Sequence, residues 1–307
     1  MNNIRHELQQ LLTLLHERPR LVVLTGAGIS ASSGIPTYRD GDGQWLYSTP
    51  IQHRDFLHDP AIRQRYWTRS WLGWPGIRDA TPNAAHRALA KLEESGAVKL
   101  LVTQNVDRLH QRAGSNAVVD LHGRLDRVRC LSCGSYSPRE EMQARLLQHN
   151  PHLALLTVDN ASRPDGDTSL PDAVARETAV PECLACAGIL MPDVVFFGGT
   201  VPRERVERVN TAIAAADALL VVGSSLQVYS GFRFCRAAHA AGKPLVLLNP
   251  GITRADAIAS LKLATPCEPL LEALVDTVNG CNDTRPTSSA KGYHDALSNH
   301  RILEQEP

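Results

Sequence analysis

Five short apolar runs set the frame for this chain: LVVLTGAG (21–28), VKLLVTQN (98–105), VVDLHG (118–123), ALLVVGSS (218–225) and PLVLLNPG (244–251). Each ends on Gly, Asn or Ser, and helical or irregular sequence separates it from the next. Apolar runs without alternation read as strands buried on both faces, the signature of a parallel sheet covered by crossover helices. AAHRALAKLEESG (84–96) and VERVNTAIAAAD (206–217) carry helical periodicity suited to such crossovers. An α/β fold follows, with helices on both faces of a parallel sheet. Ligands of open α/β sheets sit outside the carboxyl ends of the strands, so the polar endings are the candidate functional positions.

The first of these endings, TGAGISASSGIP (25–36), contains Gly26-Ala27-Gly28-Ile29-Ser30-Ala31, which fits the G-x-G-x-x-G/A pattern of a phosphate-binding turn. A dehydrogenase fingerprint helix runs for about three turns. Here Gly34-Ile35-Pro36 follows almost at once, and Pro removes a helix donor. An ordinary dehydrogenase is therefore disfavoured, and whatever binds continues into a loop.

The second ending, TQNVDRLH (103–110), offers an amide and a carboxylate at Asn105 and Asp107. On an extended segment they point the same way; alternatively one of them caps a helix. His122, in Leu121-His122-Gly123, is either a structural histidine or a general base placed at a strand terminus. His86 and His110 fall in helical patterns and receive no role. Gly223-Ser224-Ser225 and Asn249-Pro250-Gly251 suit phosphate or ribose hydroxyl groups, and with Gly26 to Ser30 they outline a dinucleotide-sized site.

Of the seven cysteines, four form Cys130-x-x-Cys133 and Cys183-x-x-Cys186. Two such knuckles supply four thiolates to a tetrahedral zinc, leaving no open position for a catalytic water. A redox motif does not account for two pairs. Gly134 and Gly188 suit tight knuckle turns. Cys235 reads as an apolar helix residue and Cys281 as a tail residue.

Lys+Arg and Asp+Glu both number 32, so net charge gives no general case for nucleic-acid or membrane binding. No apolar stretch reaches the roughly 18 residues of a membrane span. Glu7 and Glu17 interrupt any secretory or transit pattern in the first twenty residues, where Ile4, Leu8, Leu11, Leu12 and Leu15 mark a docking helix. A cytoplasmic monomer with reduced thiols is expected. Residues 37–81, with all four tryptophans, and 125–195, with the paired cysteines, interrupt the strand repeat. The expected division gives 1–36, 76–124 and 196–277 to a large domain and 37–75 and 125–195 to a small one. The polar segment 278–307 reads as a mobile tail. No internal repeat is evident.

In order, GAGISASSGIP, TQNVDRLH, LHG, the two C-x-x-C pairs, MPDVVFFG, GSSLQVYS and LLNPG resemble the motifs of the sirtuins, NAD-dependent protein deacylases. The resemblance runs from about residue 10 to 275. PIQHRDF (50–56), IRQRYW (62–67) and the insert Pro164-Asp165-Gly166-Asp167 resemble class II.

The resemblance implies a Rossmann-like large domain and a zinc-bearing small domain, with NAD and an acylated lysine meeting between them. It implies that Gly26, Ala27, Gly28, Ser30, Ile35, Pro36 and Arg39 form a loop over NAD. Gln104, Asn105 and Asp107 would hold nicotinamide and its ribose. Gly223, Ser224, Ser225, Asn249, Pro250 and Gly251 would meet phosphate and adenosine, with Cys267 near the adenine. Asn105, Asp107 and His122 would be catalytic, His122 as general base on a ribose hydroxyl. NAD would be consumed as a co-substrate and one structural zinc bound.

The acylated peptide would lie as an extended strand between Val195 to Gly199 and Ser225 to Ser230, touching Val195, Phe196, Phe197, Gly198 and Val228. Tyr66 and Arg69 have the Tyr-x-x-Arg spacing of sirtuins that prefer acidic acyl chains, yet YWTRSWLGW also suits an aromatic packing helix. Asp165 or Asp167 in the acyl channel would disfavour an acid. Mono-ADP-ribosyl transfer uses the same motifs, and a non-catalytic NAD or ADP-ribose sensor is a further alternative.

Overall fold

Among the described residues the strands are β1 (Leu21–Thr25), β2 (Val98–Thr103), β3 (Val118–Asp120), β4 (Gly123–Cys130), β5 (Tyr136–Pro138), β6 (Leu190–Val194), β7 (Ala218–Val222), β8 (Leu245–Leu248) and β9 (Leu261–Leu263). They belong to a computed structural model that describes residues 2–42, 44–46, 50–156, 165 and 175–283. Six strands make one parallel sheet in the order β3-β2-β1-β7-β8-β9. This is the Rossmann order, with the chain reversing direction across the sheet on either side of β1.

All five residues of β1 are buried, and successive side chains serve opposite faces. Leu21 and Val23 pack with Leu89, Leu92, Leu270 and Leu274, from the helices Ala84–Glu94 and Cys267–Asp283. Val22 and Leu24 pack with Val209, Ile213 and Phe234, from the helices Arg203–Ala215 and Tyr229–Ala240. The continuous apolar runs are thus explained by helical cover on both sides. The N-terminal helix Asn2–Glu17 joins the first layer through Leu11 and Leu14, with Ile4, Leu8, Leu12 and Leu15 at its margin. Glu7 is buried there too: its carboxylate accepts from the backbone N–H groups of Ala264 (3.1 Å) and Thr265 (3.0 Å), just past β9.

The second sheet is antiparallel, β5-β4-β6. It packs Val128, Leu190 and Met191 against Phe56, Tyr66, Trp67, Met142 and Leu146. Trp67 is fully buried on the helix Pro60–Asp79, and the buried guanidinium of Arg139 lies 5.3 Å from its ring centroid and 5.5 Å from that of Trp74. VVDLHG, read as one run, is split: β3 ends at Asp120 and β4 begins at Gly123, so His122 occupies the turn where the chain leaves one sheet for the other. Gly123 is required at that turn, having φ +89° and space in which an added Cβ would fall 2.1 Å from the Asp193 carbonyl oxygen.

Two expectations are amended here. The final helix continues to Asp283, so the segment expected as a tail from 278 begins inside a helix, as does the position of Cys281; 284–307 lie outside the described residues. Strand β9 completes the large sheet without having been expected. Among the described residues no helix is long and apolar enough to cross a membrane.

Candidate active site and metal centre

At the reversal point of the sheet the loops after β1 and β7 touch backbone to backbone. The Gly28 N–H donates to the Gly223 carbonyl at 2.8 Å. A Cβ on Gly28 would meet that oxygen at 2.8 Å, and one on Gly223, with φ +59°, would meet the Ile29 nitrogen at 2.5 Å. Glycine is needed at both positions for this approach. The helix after β1 is a seven-residue 3-10 segment, Ala27–Ser33, closed by Gly34 at φ 84°. Gly34 therefore ends the helix, and Pro36 only follows it.

Behind this turn lies a buried polar network. The Ser30 hydroxyl donates to Asp107 Oδ2 at 2.8 Å and accepts from Asn105 Nδ2 at 3.0 Å, while Asn105 Nδ2 also donates to the Gly26 carbonyl. Asp107 Oδ1 accepts from the Leu109 N–H at 2.9 Å, so the carboxylate is held at the start of the short helix Leu109–Arg112 as well as facing Ser30. Between them Arg108 adopts a left-handed conformation (φ 67°) and its guanidinium pairs with Asp120 on β3. Burial raises the pKa of Asp107 against the opposing hydrogen bonds from Leu109 and Ser30.

His86 and His110, which the sequence pattern left without a role, extend the network inward. His86 Nε2 lies 3.4 Å from the Ser30 hydroxyl and His110 Nε2 lies 2.9 Å from that of Thr25; the two rings are 4.8 Å apart. Burial holds His86 down to about 4 and His110 well below the ordinary imidazole range. Both are neutral near pH 7.

His122 Nδ1 sits 3.0 Å from the Gln104 carbonyl oxygen, which can only accept, so Nδ1 carries the proton. Nε2 is then a lone-pair acceptor, and the Ser230 hydroxyl donates to it at 2.7 Å. Burial pushes this imidazole down to about 4, with the Gln104 bond opposing and nearby Arg205 assisting. Gln104 is itself fixed by donation to Ser224 Oγ (2.7 Å) and to the Thr25 carbonyl.

The loop around Arg39 closes the opposite side. The Ile252 N–H donates to the Gly41 carbonyl at 3.1 Å, and a Cβ on Gly251 would lie 2.6 Å from that same oxygen. The Arg39 guanidinium stacks 3.9 Å above the Trp45 ring, which meets Phe197 edge-on at 5.7 Å. The cleft between these walls has a volume of about 910 Å³.

Every candidate cofactor residue lines this cavity except Pro36. So do His122, Tyr66, Val195, Phe196, Phe197, Gly198 and Val228, with Asp165 and Ser230 in addition. Arg69 is not among its walls. Tyr66 turns inward against Phe56 and Phe196, while Arg69, three residues along the same helix, is half-buried. Asp167 lies outside the described residues. Ser230 was expected only as the end of the peptide groove; its bond to His122 was not anticipated, because a serine after an aromatic at a helix start carries no distinguishing signal in sequence.

The four paired cysteines converge on one point, with all Sγ atoms within 4.8 Å of one another. Cys130 and Cys186 are 3.5 Å apart and Cys133 and Cys183 3.8 Å. A tetrahedral ion with Zn–S bonds of about 2.3 Å requires edges of about 3.8 Å, so the donor set fits zinc. Each knuckle closes by a backbone bond, Gly134 N–H to Cys130 and Ala187 N–H to Cys183. The left-handed residue of the second knuckle is Ala187 (φ 56°), whereas Gly188 is required by close packing: a Cβ there would meet Ser132 Oγ at 2.4 Å and Cys130 Sγ at 2.9 Å. The Ser135 hydroxyl helps to hold the Cys183 thiol down to about 6.

A Rossmann-ordered sheet, a cleft at its reversal point and a four-thiolate knuckle pair define the class. The profile of the Sir2 family matches residues 26–230. The NAD-dependent protein deacetylase of Bordetella bronchiseptica is 52% identical over 275 residues, covering 90% of this chain and 100% of that protein. One from Xanthomonas campestris is 53% identical over 279 residues, covering 91% and 93%. A solved Sir2 structure with a p53 peptide and NAD+ superposes with TM-score 0.71 at 31% identity, covering 89% of this chain and 98% of that one. The chain belongs to the Sir2 family.

Proposed function

We propose that this protein is an NAD-dependent protein-lysine deacetylase. The observation that carries the reading is His122: its tautomer is fixed by the Gln104 carbonyl, and its unprotonated Nε2 lies in a cavity shared with Asn105, Asp107 and the glycine turns. A sensor of NAD has no need of a poised base.

NAD would lie against Gly26, Ala27, Gly28, Ser30, Ile35 and Arg39 on one side and Gly223 to Ser225 and Asn249 to Gly251 on the other, with Cys267 at the adenine end. Bound there, it would supply an electrophilic ribose carbon, with nicotinamide as the leaving group and the acyl oxygen of the modified lysine as the incoming one. Gln104, Asn105 and Asp107 hold the nicotinamide end, and their bonds to Ser224, Ser30 and Leu109 fix them before binding, so orientation costs little at the moment of reaction. His122 Nε2 accepts a proton from a hydroxyl brought beside it, and Nδ1–H remains on the Gln104 carbonyl as positive charge develops. Zinc on Cys130, Cys133, Cys183 and Cys186 would tie β4 to the segment leading into β6 and, with four protein ligands, take no part in catalysis.

The substrate is an acylated lysine in an extended peptide lying between Val195 to Gly199 and Ser225 to Ser230. Its acyl group is uncharged: Asp165 lines the cavity and Arg69 does not. The two sheets support the expected division into two domains, and the reading places a monomeric enzyme in the cytoplasm. The test is nicotinamide release from NAD in the presence of an acetyl-lysine peptide. Release that requires the peptide supports the proposal; reduction of NAD, or no peptide dependence, contradicts it.

A further inference from the structure

One wall of the cleft ends in a pair of cations that the proposed reaction does not use. The first turn of the helix Tyr229–Ala240 exposes Tyr229, and Arg233, one turn on, lines the cavity with its guanidinium 5.4 Å from the Tyr229 ring centroid. Arg254 arrives from the loop after Gly251. Its guanidinium lies 4.7 Å from the Phe232 centroid and 5.9 Å from that of Tyr229, and Nη1 donates to the Gln227 carbonyl at 3.2 Å. Its backbone N–H donates to the Ser225 carbonyl at 2.9 Å, so the arginine is anchored to the edge along which the peptide is proposed to run.

Two guanidinium groups therefore flank one tyrosine at the lip of the groove. Among the described residues, neither has a carboxylate within ion-pair distance. Asp256, two residues beyond Arg254, is already held by Lys262 at 2.5 Å and by the Thr253 hydroxyl at 2.6 Å. Glu268 lies along the same cavity wall and forms no ion pair with either arginine. A guanidinium stacked on rings and pinned by a carbonyl has already lost much of its rotamer freedom, and its remaining donors suit a carboxylate.

We propose that Arg233 and Arg254 form a subsite for an acidic side chain of the bound peptide, so that the protein prefers acylated lysines with Asp or Glu nearby in sequence. The proposal rests on the peptide-groove reading above and adds to it a choice among substrates. Two cations sharing one ring repel each other, and an incoming carboxylate relieves that repulsion.

The test uses acetyl-lysine peptides carrying Glu, Gln or Lys at each of three positions on either side of the modified lysine. With the unaltered protein, kcat/KM for the best Glu peptide is expected to exceed that of its Gln counterpart by about fivefold at low salt, the Lys peptide to be poorest, and the differences to shrink as salt rises. In R233Q/R254Q the Glu and Gln peptides become equivalent, and Arg254→Glu moves the preference toward Lys. Equal turnover of all three peptides by the unaltered protein overturns the proposal, as does a double variant that keeps the Glu preference. So does one whose main defect is a raised KM for NAD, which would assign the arginines to the cofactor. Should no peptide be turned over, the deacetylase reading is what fails. Fluorescence anisotropy of the same labelled peptides then decides the subsite alone: tighter binding of Glu than of Gln supports it, and equal binding overturns it.

Discussion

The two imidazoles behind the Ser30–Asn105–Asp107 network make the fold sensitive to mild acid, by an amount that the structure sets. His86 has no exposed surface and His110 almost none, and burial holds His86 at about 4 against the ordinary 6.5. Between those values the unfolded chain binds a proton at His86 and the folded chain does not. The stabilising contribution is therefore complete above about pH 6.5 and is lost as pH falls toward the folded value, at about 1.4 kcal/mol per unit for each group. Moving from about pH 7.5 to about pH 5.5 should cost about 1.3 kcal/mol through His86, and His110, also held down by burial, acts in the same sense. Asp107 acts in the opposite sense, because burial raises its pKa and the folded state takes up its proton more readily. Comparison with His86→Gln separates the terms. Urea unfolding of both proteins at the two pH values, followed by circular dichroism, should show the variant losing about 1.3 kcal/mol less on acidification than the parent. Its stability at neutral pH is a separate matter, since His86 also completes a capping box with Asn83. If parent and variant lose the same free energy on acidification, the buried neutral imidazole is not His86 and the reasoning fails.

Gly28→Ala places a methyl 2.8 Å from the Gly223 carbonyl oxygen and 3.0 Å from its Cα, backbone atoms on both counts, so KM for NAD should rise about tenfold or more. A steady-state titration of NAD decides it. Glu7→Ala removes the acceptor for two backbone N–H groups next to β9 and should lower stability by about 1–3 kcal/mol, measured by chemical denaturation, with kcat little changed. Mass spectrometry under native conditions should find one zinc per chain. Stripping it, or changing Cys130 to Ser, should expose the β4–β6 module to proteolysis before the large sheet is cut.

The large sheet was legible because its strands are buried on both faces and end in small polar residues, a pattern that survives without tertiary information. The short antiparallel sheet was not: β4 reads GRLDRVRC, with charged residues between Leu125, Val128 and Cys130, and β5 is three residues long. β9 has only Leu261 to Leu263 to announce it. The glycine turns and His122, which share one cavity, and the four cysteines, which share one cluster, stood out because each candidate chemistry demands particular residues at short spacing. His86 and His110 could not, since a histidine in a helical pattern looks alike whether it faces solvent or a serine 56 residues away. Glu7 drew attention only as an interruption of a secretory or transit pattern, and its partners lie more than 250 residues along the chain. Pro36 drew attention as a helix breaker, while the left-handed Gly34 already ends the segment. Tyr66 and Arg69 have a suggestive spacing, but only the helix orientation shows that one reaches the cavity and the other does not.

The central claim is that His122 Nε2 serves as the base in an NAD-consuming removal of acyl groups from lysine. It is tested most directly by following nicotinamide and free lysine peptide together, from NAD and an acetyl-lysine peptide, for the parent and for His122→Ala. The account predicts equimolar appearance of both products with the parent, and with the variant a loss of peptide deacetylation by about a hundredfold or more while the zinc content and the unfolding midpoint are kept. Deacetylation at the parental rate by a folded His122→Ala protein would contradict it.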